Sequence, residues 1–424
     1  MKKAIFTLLI LPLALAVSAQ DATQDVNIPL YSVDKCIEIA LEKNPTLAAA
    51  HSNLLGAKAK VWQSGSVFFP QISASGGWSR SRTEVLDDVF SYGNKVNAGV
   101  SASLAVFSFG KDYLAFRAQQ LSYTSSDYTY QDTLNKTVYD VKEAYYNLVY
   151  AIKSVEVYKT SVQQYEQQLA QAQSFYKVGI RSKIDVTNAE VNLNNAKLNL
   201  IKAYNNVKTS YATLNSLMGL KKLELYSVDD DLESEKYEIS AEYALTTAYQ
   251  NRPDLAAAVA KTEASKATLN AQRTNYLPEI NASASYGVSG STSLSRENGS
   301  VGLSASWSIF NGLSTTKRVE ELKATFMANQ YTQEAVRQSI MKDLTQAYAN
   351  LTQAEEAIPV SKLNVEKAKE NLELANGRYK VGIGNSIEVK DAESSYSEAE
   401  LSYAKSLADY QIAKAYILKS MGKR

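Results

Sequence analysis

The sequence predicts a mainly α-helical protein with a membrane β-barrel portion. Three observations carry that expectation: long stretches without helix breakers, four short segments of strict two-residue alternation, and a duplication spanning most of the chain. Only 7 prolines and 18 glycines occur in 424 residues, and the gaps between prolines leave room for unusually long helices. No stretch after the first 20 residues reaches the roughly 18 apolar residues of a spanning helix, so entry into a membrane would require a barrel of strands.

The amino terminus reads as an export signal. Lys2 and Lys3 precede an apolar run from Ala4 to Val17, and Val17-Ser18-Ala19 supplies small residues for cleavage before Gln20. Residues 1–19 are therefore expected to be a signal peptide, and Cys36 lies too far downstream for lipoprotein acylation.

Self-comparison exposes the duplication. Asn44-Pro45-Thr46-Leu47-Ala48 recurs as Arg252-Pro253-Asp254-Leu255-Ala256, and Phe69-Pro70-Gln71-Ile72 as Leu277-Pro278-Glu279-Ile280, at an offset of about 208 residues. Tyr176-Lys177-Val178-Gly179-Ile180 then matches Tyr379-Lys380-Val381-Gly382-Ile383, and Met218-Gly219 matches Met421-Gly422, at about 203. The first copy thus carries about five extra residues, expected in a loop between Trp78 and Ala98. The copies are assigned to 20–219 and 240–424, joined by a polar, acid-rich connector at 220–239.

Each copy has the same element order. A short helix (33–42 or 241–250) leads to Pro45 or Pro253, which suits a first helical turn, and a second helix runs to Pro70 or Pro278. The period then becomes two. Strands are predicted near 71–80, 98–108, 279–289 and 300–310. Ile72, Ala74, Gly76 and Trp78 alternate with Gln71, Ser73 and Ser75, and Ala282, Ala284, Tyr286 and Val288 with Ser283 and Ser285. After Gly110 and Gly312 come breaker-poor stretches of roughly 65 residues, about 100 Å as single helices. Val138, Val141, Tyr145, Leu148, Ile152 and Val155 keep coiled-coil spacing. Both end at the Tyr-Lys-Val-Gly-Ile turn, after which a shorter helix returns. Pro359 predicts a local kink.

Composition excludes several functions. With one Cys and one His (Cys36 and His51) the chain lacks soft or imidazole ligand sets for zinc or haem, and both residues read as structural. With 45 Lys+Arg against 44 Asp+Glu no basic surface calls for nucleic acid. No nucleophile–base pair or phosphate loop stands out, so neither an enzyme nor a cofactor is expected. Four amphipathic strands are too few to close a barrel, which needs about eight, so several chains must contribute. The water-facing residues are Ser, Asn and Gly, while Trp78, Tyr286 and Trp307 suit lipid interfaces.

The duplicated order of helix, helix, strand, strand, long helix, Tyr-x-Val-Gly turn and return helix resembles the TolC-like outer-membrane efflux proteins over nearly all of the mature chain. The resemblance implies a homotrimer with a twelve-stranded barrel continuous with a periplasmic coiled-coil tunnel. It also implies an outer-membrane location in a Gram-negative bacterium, a periplasmic adaptor, and an inner-membrane RND, ABC or MFS transporter. On that resemblance Glu388 and Asp391 match the acidic residues ringing the tunnel entrance. Helix-dipole compensation is the competing reading for that pair. Asp185 matches a position that helps hold the entrance closed, with Tyr379 nearby. Where family members can carry Arg after the second turn this chain has Gly384, which leaves Arg181, Lys183, Arg378 or Lys380 as the basic partner. Val178, Gly179 and Ile180, with Val381, Gly382 and Ile383, match turns onto which adaptor hairpins dock, although Gly also serves simple helix termination there. A periplasmic coiled-coil protein without a conduit is the alternative class.

Overall fold

A computed structural model describes residues 29–86, 89–221, 226–229, 232 and 236–424. The predicted signal peptide and part of the connector lie outside these. The first half runs β1 (Leu30–Tyr31), α1 (Val33–Lys43), α2 (Pro45–Gly65), β2 (Gln71–Leu86), β3 (Val89–Phe107), α3 (Lys111–Lys177) and α4 (Lys183–Met218). After β4 (Ser227–Val228) the second runs α5 (Ala241–Asn251), α6 (Pro253–Arg273), β5 (Glu279–Gly290), β6 (Arg296–Ser306), α7 (Ser314–Lys380) and α8 (Ser386–Ser420).

The helices begin and end for identifiable reasons. Asn44 caps α2, its Oδ1 accepting from the Thr46 and Leu47 amides at 2.8 and 3.1 Å, and Pro45 takes the first turn, where no amide partner is needed. At the matching place Arg252 instead holds Asp254 and Asp343 in ion pairs of 2.6 and 3.1 Å. Both long helices contain 67 residues, which places about 100 Å between their ends at 1.5 Å per residue. Pro359 stands inside α7, and the helix continues through it.

The long helices pair as hairpins, α3 with α4 and α7 with α8, and α3 also lies against α8. Their seam is the one read from the heptads: Val138, Val141, Tyr145, Leu148 and Val155 are buried. Around this midpoint the first core gathers Cys36, Val149, Leu214, Met218 and Tyr226. Burial pushes the Cys36 thiol up to about 12. β1 and β4 pair in parallel, with Tyr31 stacked on Tyr226 at 4.7 Å, and the Tyr145 hydroxyl bonds the carbonyls of Tyr31 and Asp229. The connector is therefore strapped to the bundle. Its two-residue strand was too short to register as alternation.

β2, β3, β5 and β6 form one antiparallel sheet in that order. Several strand limits differ from expectation. The supposed loop between Trp78 and Ala98 is mostly paired backbone, from Ser79 opposite Lys95 to Glu84 opposite Phe90. Charged residues disguised its period: Arg80 stacks on Tyr92 and Arg82 on Phe90 across the ribbon, cross-strand contacts that favour pairing. β6 ends at Ser306 rather than near 310. Trp307 leaves the ladder to donate its indole N–H to the Tyr276 carbonyl at 3.0 Å.

The strand-to-helix joints repeat in geometry but not in sequence. Phe109 and Gly110 (φ 50 and 85), like Gly312 and Leu313 (φ 66 and 68), are consecutive left-handed residues. Glycine takes the second place in one joint and the first in the other, so Gly110 and Gly312 are not equivalent.

Candidate functional site at the sheet and the hairpin tips

Two regions hold the predicted functional residues: the sheet at one end of the helices and the two turns at the other. Register assigns the sheet's faces. Residues opposite each other in an antiparallel pair share a face, so Ser73, Ser101, Ser285 and Ser300 form one row across all four strands. The Ser73 and Ser101 hydroxyls lie 2.8 Å apart, as do those of Ser285 and Ser300. The neighbouring rows face the other way: Ile72, Ala102, Ala284 and Val301, then Ala74, Val100, Tyr286 and Gly299. Trp78 continues this apolar face level with Val96 and Gly290, Tyr286 sits four residues below Gly290, and Trp307 lies just past the last pair. All three aromatic side chains are exposed, as are Val301 and Leu303.

At the far end each long helix closes in the same way. Ile180 N–H donates to the Phe175 carbonyl and Gly179 N–H to that of Tyr176, while Ile383 and Gly382 do the same with Arg378 and Tyr379. Gly179 and Gly382 hold φ of 76 and 82, a conformation that glycine adopts without steric cost. The aliphatic side chains of the turns are left outside: Val178, Ile180, Val381 and Ile383 are exposed. The two tyrosines diverge. Tyr379 is buried with Leu372, Ala375, Val389 and Ala392, edge-on to Phe175, and burial pushes its phenol up. Tyr176, its counterpart, is exposed.

Arg181 joins the turns. Its Nη2 donates to the Gly384 carbonyl at 2.5 Å and sits 3.5 Å from that of Gly382, while the guanidinium stacks 5.5 Å from the Tyr379 ring. Gly384 is buried, and a Cβ there would stand 3.0 Å from the Tyr379 nitrogen and 3.1 Å from two Arg378 atoms. The bond to a main-chain carbonyl left no trace in side-chain composition. Asp185 is engaged elsewhere: its Oδ2 accepts from the Ser182 amide and hydroxyl at 3.2 and 3.1 Å, a capping box at the start of α4. Among the described residues neither Asp185 nor Lys183 has an ion-pair partner.

Glu388 and Asp391 are both exposed near the start of α8. Asn385 caps that helix, accepting from the Ile387 and Glu388 amides. Glu388 lies 3.4 Å from Arg378 Nε, a cross-turn ion pair not anticipated from the sequence, and Asp391 lies 3.0 Å from Lys390. A further carboxylate went unread. Glu393 is 1% exposed, and its charge among apolar seam positions was the available signal. The described residues contain no cluster of three or more His, Cys, Asp and Glu suited to a metal.

The architecture is that of outer-membrane channels. The crystal structure of the Campylobacter jejuni CmeC outer membrane channel superposes with a TM-score of 0.84 at 18% identity, covering 92% of this chain and 85% of that one. Outer membrane protein TolC of Vibrio cholerae is 20% identical over 392 residues, 90% of this chain and 89% of that protein. TolC of Escherichia coli is 22% identical over 395 residues, 89% and 80% of the two chains. A family model described as outer membrane efflux protein matches residues 36–220 and again 244–423. The chain belongs to the outer membrane efflux protein family. It is accordingly an outer-membrane protein of a Gram-negative bacterium.

Proposed function

We propose that three copies of this chain assemble into a passive export duct, a twelve-stranded barrel continuous with a periplasmic tunnel of helical hairpins. The observation that carries this reading is a four-stranded sheet, polar on one face and apolar on the other, with free edges at β2 and β6. Main-chain groups at such edges need partners in lipid, and further copies of the same sheet would supply them. From the level of Trp307 to that of Trp78 the strands run about 12 residues, roughly 40 Å along the strand and about 28 Å at a 45° tilt, matching a hydrocarbon core. The serine rows would then face a water-filled lumen and the apolar face outer-membrane lipid.

The exposed aliphatic turns Val178-Gly179-Ile180 and Val381-Gly382-Ile383 would receive a periplasmic adaptor, through which an inner-membrane RND, ABC or MFS transporter delivers cargo. Glu388 and Asp391, repeated around the threefold axis, would form carboxylate rings favouring cations. Asp185, Lys183, Arg181 and Tyr379 would support the closed entrance. A conduit of this kind needs no cofactor and no reacting group.

The deciding experiment is single-channel recording in a planar bilayer under a salt gradient, comparing wild type with Glu388→Ala/Asp391→Ala. Cation-selective openings that widen and lose selectivity in the double variant are expected. Verified trimers with no conductance in either protein would remove the duct, and unchanged selectivity would remove the gate assignment.

A further inference from the structure

Glu393 is an anomaly in the helical bundle. It lies on α8 between Val389 and Ala392, which are buried against α7, and Ser397, one turn on. Across from it on α3 stand Ser161 and Gln164. The Ser397 hydroxyl donates at 3.4 Å, Ser161 also bonds the carboxyl, and the Gln164 side-chain amide lies against it, able to donate once its N–H₂ is turned toward the carboxyl. Every donor is neutral, and among the described residues no lysine or arginine lies within ion-pair distance. A carboxylate withdrawn from water without a cation is costly, and burial pushes this one up to about 7.

The surrounding titratable groups do not offer an alternative sensor. On α3, Tyr165 and Tyr158 have phenols pushed up by burial and stay neutral. On α8, Lys390 is paired with Asp391, and Glu400 takes the Tyr396 hydroxyl. The α4 side presents Asn192 and Asn195, with Lys197 paired to Glu166, and the α7 side contributes Glu373 near Tyr396. His51 is far off in α2. Position completes the argument: Glu393 is five residues from Glu388, about 7.5 Å along the helix, and two from Asp391, a rotation of about 200°. The entrance carboxylates and the buried one thus sit on different faces of one rod.

We propose that Glu393 is a proton-operated wedge between α3 and α8: protonated, it lets α8 lie flush on α3, and ionised, it draws water into the contact and loosens α8 beside the Glu388/Asp391 constriction. Rest and release are then set by the pH of the compartment bathing the helices. The inference rests on the duct reading, since it assigns regulation to the same entrance. It requires no partner protein, and both helices belong to one protomer.

The test is open probability and conductance in planar bilayers from pH 5.5 to 8.5 for wild type, Glu393→Gln, His51→Asn and Glu388→Ala/Asp391→Ala. Wild type should open more as pH rises through neutrality, at least about threefold, a fraction of the tenfold that each pKa unit makes available. Glu393→Gln should stay at the low-pH level throughout, and His51→Asn should respond as wild type. The double entrance variant should keep the pH midpoint while losing selectivity. A Glu393→Gln channel that titrates like wild type, or a response abolished by His51→Asn, overturns the wedge. Amide hydrogen exchange over 389–400 in the purified protein, corrected for intrinsic base catalysis, decides the same question without conduction. Faster exchange at high pH in wild type but not in Glu393→Gln supports the wedge, and equal profiles reject it. Absence of current in all four proteins would sink the duct and leave the exchange result standing.

Discussion

Arg181→Ala should release the second hairpin from the first. The guanidinium makes one close bond to the Gly384 carbonyl, reaches Gly382 at the limit of bonding distance, and stacks on Tyr379. A hydrogen bond from a charged donor contributes about 1.5–3 kcal/mol and a partly exposed cation–π contact about 0.5–1 kcal/mol. Because Arg181 is only half-buried, about 1.5 kcal/mol per protomer is a reasonable net, close to tenfold in the opening equilibrium. In a trimer whose tips open together the factor is larger still. The assay is open probability at fixed voltage and pH, with Arg181→Lys as control: lysine keeps the charge but lacks the planar fork that reaches carbonyl and ring together. Alanine should raise open probability at least about tenfold and lysine less. If alanine stays within twofold of wild type while Glu388→Ala/Asp391→Ala alters the current, Arg181 is not restraining the entrance, and the contact is incidental packing.

Four further substitutions read the scaffold. Gly219→Ala puts a Cβ 2.2 Å from the Lys43 carbonyl oxygen in a backbone at φ 71, so left-handed strain and overpacking together should cost about 3 kcal/mol. Gly179→Ala, at φ 76 in open space, should cost about 1 kcal/mol, and equal melting temperatures for the two variants would contradict the account. Leu313→Asn should stabilise by about 0.5–1 kcal/mol, because asparagine tolerates the left-handed φ of 68 that leucine holds there; a lower melting temperature would place the leucine side chain in an essential contact. The raised Glu393 carboxyl gives the folded protein an extra proton between pH 4.5 and about 7, so its stability falls as pH rises through that window and stays lowered above it. Glu393→Gln should therefore match wild type near pH 4.5 and exceed it by about 2 kcal/mol at pH 8. A difference that does not vary with pH would exclude ionisation as its cause.

Much of the architecture was legible because repetition amplifies weak signals. One serine–apolar alternation is ambiguous, but two matched pairs in register with matched prolines are not, and the helix limits at Pro45, Pro253 and the two Val-Gly-Ile turns followed from backbone chemistry alone. What escaped depended on partners distant in sequence. The ribbon beyond Trp78 reads as a loop in the sequence because Arg80 and Arg82 look solvated until Tyr92 and Phe90 are brought opposite them. Glu393 carries its charge among the apolar seam positions Val389 and Ala392, and its burial becomes evident once Ser161 and Gln164 of α3 close over it. The capping box between Asp185 and Ser182 is local, three residues apart, and adds to the role expected of Asp185 at the entrance.

The matched turns also account for the form of the contact between the hairpins. Arg181 and Gly384 occupy equivalent places, each following its own Val-Gly-Ile turn, and these equivalent places touch. Arginine at both would set two cations against each other. The second turn has little room: a Cβ at Gly384 would press on Arg378 and Tyr379. The glycine at that position is thus complementary to the arginine of the first turn. The bond between hairpins runs from a side chain of the first to the main chain of the second. A main-chain acceptor cannot be protonated away, so this restraint should hold from acid to neutral pH. Sensitivity to protons near the entrance would then reside in Glu393, where a buried carboxyl lacks a cation.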